Sequence, residues 1–137
     1  MQWFLKLKNM INANELRIGN LVEYKITDKF DERKEWWEVS EIDADDIHWL
    51  SKVDTKDEDF RPIKITDEWL LKLGFKKEHE RYFNTFIVLR FINNKVDVFN
   101  LGISHDDEYL EFLNSINYVH QLQNLHFALT HRELTVA

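Results

Sequence analysis

Read for its apolar positions alone, the chain changes rhythm along its length. From Leu16 to Tyr24, across a Gly19-Asn20 turn, and again through EWWEVSEI at 35–42, apolar and polar residues alternate, the repeat of a half-buried strand. On that pattern Trp37, Val39 and Ile42 face a core while Glu38, Ser40 and Glu41 face water. The acidic DADD at 43–46 reads as a turn and IHWL at 47–50 as one more short strand. Residues 12–51 are therefore expected to form a small SH3-like antiparallel barrel or curled sheet. The charged run 25–35 reads as a hairpin loop or a variable insertion, and KVDTKDEDF at 52–60 as a polar link.

The period lengthens at PIKITDEWLLKLGF. Thr66 is placed to cap a helix over about 67–73, Asp67 and Glu68 suit its positive end, and Gly74 stands where a left-handed stop belongs, with Phe75 folding back. Alternation returns in YFNTFIVLRFI and KVDVFNLG, and the Asn93-Asn94 pair between them predicts a tight hairpin turn. YLEFL adds a strand. In YVHQLQNLHFALTHREL a helical period over 118–130 gathers Tyr118, Val119, Leu122, Leu125 and Leu129 on one arc, with His126 inside it and His120 toward a boundary. The expected architecture is α+β, a single domain over 1–137. It has a β-rich part at 12–51, and a middle helix, a β hairpin and a C-terminal helix within 62–137. The helix packs through a stripe of Leu122, Leu125 and Leu129.

Composition narrows the classes. The chain has 137 residues, 44% hydrophobic and 14% aromatic, enough apolar surface to offset chain entropy. With no cysteine, disulfide frameworks, thiolate nucleophiles and Cys-ligated zinc are excluded. Lys6 and Lys8 interrupt the apolar start, and no uncharged stretch approaches the ~20 residues of a bilayer span, so the expectation is a cytoplasmic protein with no membrane partner. The net charge of −7 argues against a surface built wholly for polyanions. It is unevenly spread: residues 1–60 carry −6, residues 61–95 carry +4 and residues 96–137 carry −5.

Candidate chemistry is sparse. His120, His126 and His131 lack the i, i+4 spacing that chelates an ion from one helix, and His79-Glu80 is followed by Phe83 where a zinc protease needs histidine. The run Asp43, Asp45, Asp46, His48 lacks the glycine and terminal glutamate of a calcium loop. Gly19, Gly74 and Gly102 are too far apart for a phosphate-cradling loop, and no GxSxG elbow occurs. The expectation is a protein that binds without catalysis, with no cofactor, no metal and no catalytic residue. Two surfaces stand out. One is acidic and aromatic: Trp36, Trp49, Glu41, Asp43, Asp45, Asp46, Asp57, Glu58 and Asp59, suited to a basic partner surface. The other is basic: Lys64, Lys72, Lys76, Lys77, Arg81 and Arg90, with Tyr82 or Phe83 to stack on bases.

NANELRIGNLVEY at 12–24, PIKITDEWLLKLGF at 62–75 and YVHQLQNLHFALTHREL at 118–134 together resemble a family of small proteins carried by phages and mobile elements of Bacteroidota. The segments occur in the family's order with comparable spacing. Relatives begin near MINANEL, which makes Met10 the matching start and residues 1–9 an extension. Where they carry an aromatic and a glycine, this chain has His126 and His131. The resemblance implies no catalytic residues. It implies an anti-defence setting in a bacterial cytoplasm: an anti-CRISPR-type inhibitor of a host immune effector, such as an RNA-guided, RNA-targeting nuclease or its ribonucleoprotein, with the guide RNA a further contact. An RNA- or DNA-binding accessory module is the alternative, and a phage structural or housekeeping interaction protein the next.

Overall fold

The structure, a computed structural model, describes residues 13–52, 60–104 and 107–136. They fall into two compact units, one ending at Ile63 and the other starting at Lys64. Both are built on antiparallel sheets, and among the described residues neither sheet is closed, so the class is α+β and the first unit holds an open three-stranded sheet where an SH3-like barrel or curled sheet was expected.

In the first unit, a 3₁₀ turn at Ala13–Glu15 precedes β1 (Leu21–Thr27), which pairs with β2 (Glu35–Glu41) on one side and the short β3 (Phe60–Arg61) on the other. The Gly19-Asn20 turn forms as its residues demand. Gly19 adopts φ +93°, a left-handed value that favours glycine, and Ile42 N–H donates to Asn20 C=O at 2.8 Å. Register puts Val22, Tyr24 and Ile26 opposite Ser40, Glu38 and Trp36, so these six share a face. Leu16, Val22, Ile42 and Phe60 form the core there, joined by Ile47 and Leu50.

Two expectations change in this unit. Residues 43–50 form no turn and strand: they make helix α1 (Ala44–Lys52). Asp43 N–H donates to Asp46 Oδ2 at 3.0 Å while Asp46 N–H donates to Asp43 Oδ1 at 2.8 Å. This reciprocal box satisfies two N–H groups at a helix start and places carboxylates at the positive end of its dipole. Ile47 and Leu50, three apart, then meet the core. The second change is in β2. Val39 is 50% exposed and Trp37 lies under Arg61, whose Cζ is 4.0 Å from the ring centroid. Ile42 is buried as expected, but its parity is that of Ser40, because the core face of β2 is the Ser40 side.

The second unit has a five-stranded meander in the order β4 (Lys76–Glu78), β5 (Arg81–Phe83), β6 (Ile87–Ile92), β7 (Lys95–Ser104) and β8 (Asp107–Ile116). Helix α2 (Asp67–Lys72) precedes the sheet and α3 (Val119–Thr130) follows it. Thr66 Oγ1 accepts the Trp69 N–H at 3.2 Å. Phe75 N–H donates to Leu70 C=O and Gly74 N–H to Leu71 C=O, with Gly74 at φ +89°. This is the glycine stop read from the sequence. Asn93 and Asn94, at φ 51° and 66°, make the two-residue turn between β6 and β7. YFNTFIVLRFI is not one strand. The Asn84 Oδ1 accepts N–H bonds from Phe86 and Ile87 at 2.8 and 2.9 Å and breaks it into β5 and β6.

The buried side of α3 is rotated from the expected leucine stripe. Val119, His120, Leu122, Gln123 and His126 are buried, whereas Leu129 is 46% exposed. The tail after α3 turns back at His131, φ 58°, and brings its carbonyls to the helix. Gln123 Nε2 donates to Leu134 C=O at 3.1 Å, and His126 Nδ1–H donates to Arg132 C=O at 2.8 Å. Because the Asn84 oxygen is already committed to the two backbone N–H groups, its amide Nδ2 donates to His126 Nε2, 3.0 Å away. Both imidazole nitrogens are satisfied with the proton on Nδ1. His120, expected at a boundary, is 2% exposed and stacks on Tyr118 at 5.9 Å between ring centroids, with the planes 10° apart. Among the described residues no helix is long and apolar enough to cross a membrane.

Candidate functional site

The first unit brings four of the predicted residues into one place. Tyr24 on β1 and Phe60 on β3 are register partners, and their rings lie 5.0 Å apart at 47°. Ser40, opposite Val22, continues this face on β2. Helix α1 starts immediately beyond Ile42, and its capping residues Asp43 and Asp46, with Trp49 one turn further on, border the same face. Tyr24, Ser40, Glu41, Asp43, Asp46, Trp49 and Phe60 line a cleft of about 390 Å³. One wall is aromatic and the rim is carboxylate.

The cleft is electrically one-sided. Burial lifts the Asp46 carboxyl above its ordinary value, the negative charges of Asp43 and Asp45 lift it further, and only the N–H bond from Asp43 opposes them. A positive group arriving there would relieve the crowding. Among the described residues no three His, Asp or Glu side chains converge as a metal site. The chemistry available is the reception of a cation by carboxylates and π-faces.

The remaining members of the acidic set lie differently. Trp36 occupies the cleft's sheet face two pairs along β2, opposite Ile26, 43% exposed, with Nε1–H donating to Glu38 at 2.9 Å. Asp45 is exposed in the first turn of α1. Asp57, Glu58 and Asp59 lie outside the described residues. Sequence reading missed Tyr24 and Phe60 as site residues. Their separation of 36 positions leaves no local signal, and only the β1–β3 register joins them.

The basic set is dispersed and partly spent. Lys72 pairs with Glu68 at 3.2 Å, and Lys77 with Asp67 at 3.4 Å. Tyr82 is 4% exposed, its hydroxyl donates to Asp67, and burial takes its ring out of any stacking surface. Arg81 stands between Glu78 and Arg90 in the register, and Arg90 between Arg81 and Asp97, so the two arginines are flanked by two carboxylates and the row sums to zero. Lys64 sits at an isolated bridge to Tyr118, and Lys76 is exposed on β4 opposite Phe83. Phe83 itself borders a separate cleft of about 630 Å³ with Arg81, Phe86 and Leu110.

No family model, no curated protein and no solved structure matches the chain.

Proposed function

We propose that this chain acts by docking, without catalysis, and that the acidic, aromatic face of its first unit engages a basic surface on another macromolecule. In the setting its sequence resemblance implies, that partner is a host immune effector, with an RNA-guided nuclease as the favoured kind. A nucleic-acid channel is lined with the lysines and arginines that such a face complements. The observation that carries the reading is the convergence of Glu41, Asp43, Asp46 and Trp49 with Tyr24 and Phe60 around one cleft. Carboxylates supply steering and fast association, and a half-exposed tryptophan supplies the buried anchor that dominates interface energies. The alternative, a nucleic-acid module on residues 61–95, draws less support because two of its lysines are ion-paired and Tyr82 is buried.

Affinity purification of the tagged chain from a defence-bearing host, with a phage-plating assay in parallel, tests it. The expected result is a co-purifying nuclease and a gain in plating, both lost in Trp49→Ala combined with Glu41→Lys. Trp49→Ala alone is expected to cost about 2 kcal/mol of binding, the range of an interface anchor. A chain that captures no effector and leaves plating unchanged would refute the proposal.

A further inference from the structure

We infer that the cleft of the first unit is a seat for one arginine side chain of a partner protein. The inference rests on the docking reading and names the group the docking surface receives. Three observations select the occupant. The rim is acidic, and among the described residues none of Glu41, Asp43 and Asp46 is in an ion pair with a basic side chain. The capping box occupies one oxygen of Asp43 and one of Asp46, leaving each carboxylate a second acceptor. The wall is aromatic, with Tyr24 39% and Trp49 49% exposed and Phe60 behind Tyr24. A volume of about 390 Å³ is far more than a bare ion fills, and holds a long side chain with its neighbouring backbone.

The choice of arginine over lysine follows from the shape of the two ends. A guanidinium is planar, weakly hydrated and forked, so it can lie on a ring and donate to carboxylates together; an ammonium is a strongly hydrated point charge. The opposite face of this same sheet already uses the arrangement internally. There Arg61 lies over the Trp37 ring at 4.0 Å while its Nη2 donates to Glu23 at 2.9 Å. The cleft repeats the ingredients, aromatic face and adjacent carboxylate, with the arginine supplied from outside.

The test is a titration of the isotope-labelled full chain with two short peptides, Gly-Gly-Arg-Gly-Gly and Gly-Gly-Lys-Gly-Gly, followed by amide and tryptophan-indole resonances. The arginine peptide is expected to shift Tyr24, Glu41, Asp46 and the Trp49 indole, in the millimolar range proper to a single side chain, and to bind about threefold or more tighter than the lysine peptide. Trp49→Leu and Glu41→Gln, both at exposed positions, are expected to abolish the shifts while keeping the dispersion of the spectrum. Equal response to both peptides, shifts elsewhere on the surface, or shifts that persist in both variants would overturn the seat. If a captured effector still binds the double variant, the arginine seat falls and docking stands. If the peptide binds but no effector is ever captured, docking falls and the seat stands.

Discussion

Asp67 and Asp46 are two aspartates whose surroundings act in opposite directions. The Tyr82 hydroxyl, donating to Asp67, holds that carboxyl below its ordinary value of 3.8, and Lys77 adds to the effect. A depressed folded value means that Asp67 stabilises the fold above 3.8 and loses this as pH falls through the lower folded value. Tyr82→Phe is therefore expected to lower the urea midpoint at neutral pH and to flatten the acid limb of its pH profile. Asp46 has the reverse sign. Its carboxyl is raised by burial, so ionising it costs stability above the folded value, and the cost vanishes below 3.8. Asp46→Asn keeps an acceptor for the Asp43 N–H. It is expected to raise the midpoint slightly at neutral pH, the gain disappearing in acid. His126 was readable as a packed residue from its place on the arc. Its partners were not, because Asn84 lies 42 positions away and the Arg132 carbonyl returns only through the left-handed turn at His131. His126→Leu removes the acceptor of the Asn84 amide and the ring donor to the Arg132 carbonyl, and a loss of about 2 kcal/mol is expected in chemical denaturation.

Elements whose signals are local were legible; those defined by their surroundings were not. Helix α2 carries its instructions within ten residues, from the Thr66 cap to the Gly74 stop, and the Asn93-Asn94 hairpin needs only its two turn residues. Gly74 owes its place to backbone conformation alone, since a Cβ there would meet nothing within 4 Å. Gly74→Ala is thus expected to cost about 1 kcal/mol through the left-handed φ, and Gly74→Asn less, in thermal unfolding. Helix α1 was hidden because its cap is written Asp-x-x-Asp, which resembles a turn, and because Ile47 and Leu50 are too few to establish a period. The face of α3 was misplaced because hydrophobicity cannot anticipate that Gln123 is buried, where its amide donates to the Leu134 carbonyl of the tail. The split between β5 and β6 depends on one side-chain oxygen, that of Asn84.

At the scale of the molecule, both units are net acidic, residues 1–63 carrying −5 and residues 64–137 carrying −2, because the basic stretch of the second unit is outweighed by the acidic one that follows it. The class α+β followed from the alternating periods, but the division at Ile63–Lys64 did not, because the polar link before it marks a connection without telling whether a second core begins. If docking runs through the first unit, the association rate with the captured effector should fall steeply with salt. Glu41→Lys should reduce the rate by about tenfold at low salt, whereas Lys76→Glu in the second unit should leave it unchanged or raise it. Stopped-flow measurement on both variants separates the two faces; a loss confined to Lys76→Glu would transfer the interface to the second unit.

The double commitment of the His126 ring also gives the chain a chemical clock. An imidazole whose Nε2 lone pair is held by an amide and whose Nδ1 proton is held by a carbonyl offers nothing to an acylating reagent, whereas His48, His79 and His131 stand in solvent. Under such a reagent the surface rings should be consumed at once and His126 only as fast as the second unit opens, so its rate of labelling measures that opening in cells as well as in buffer.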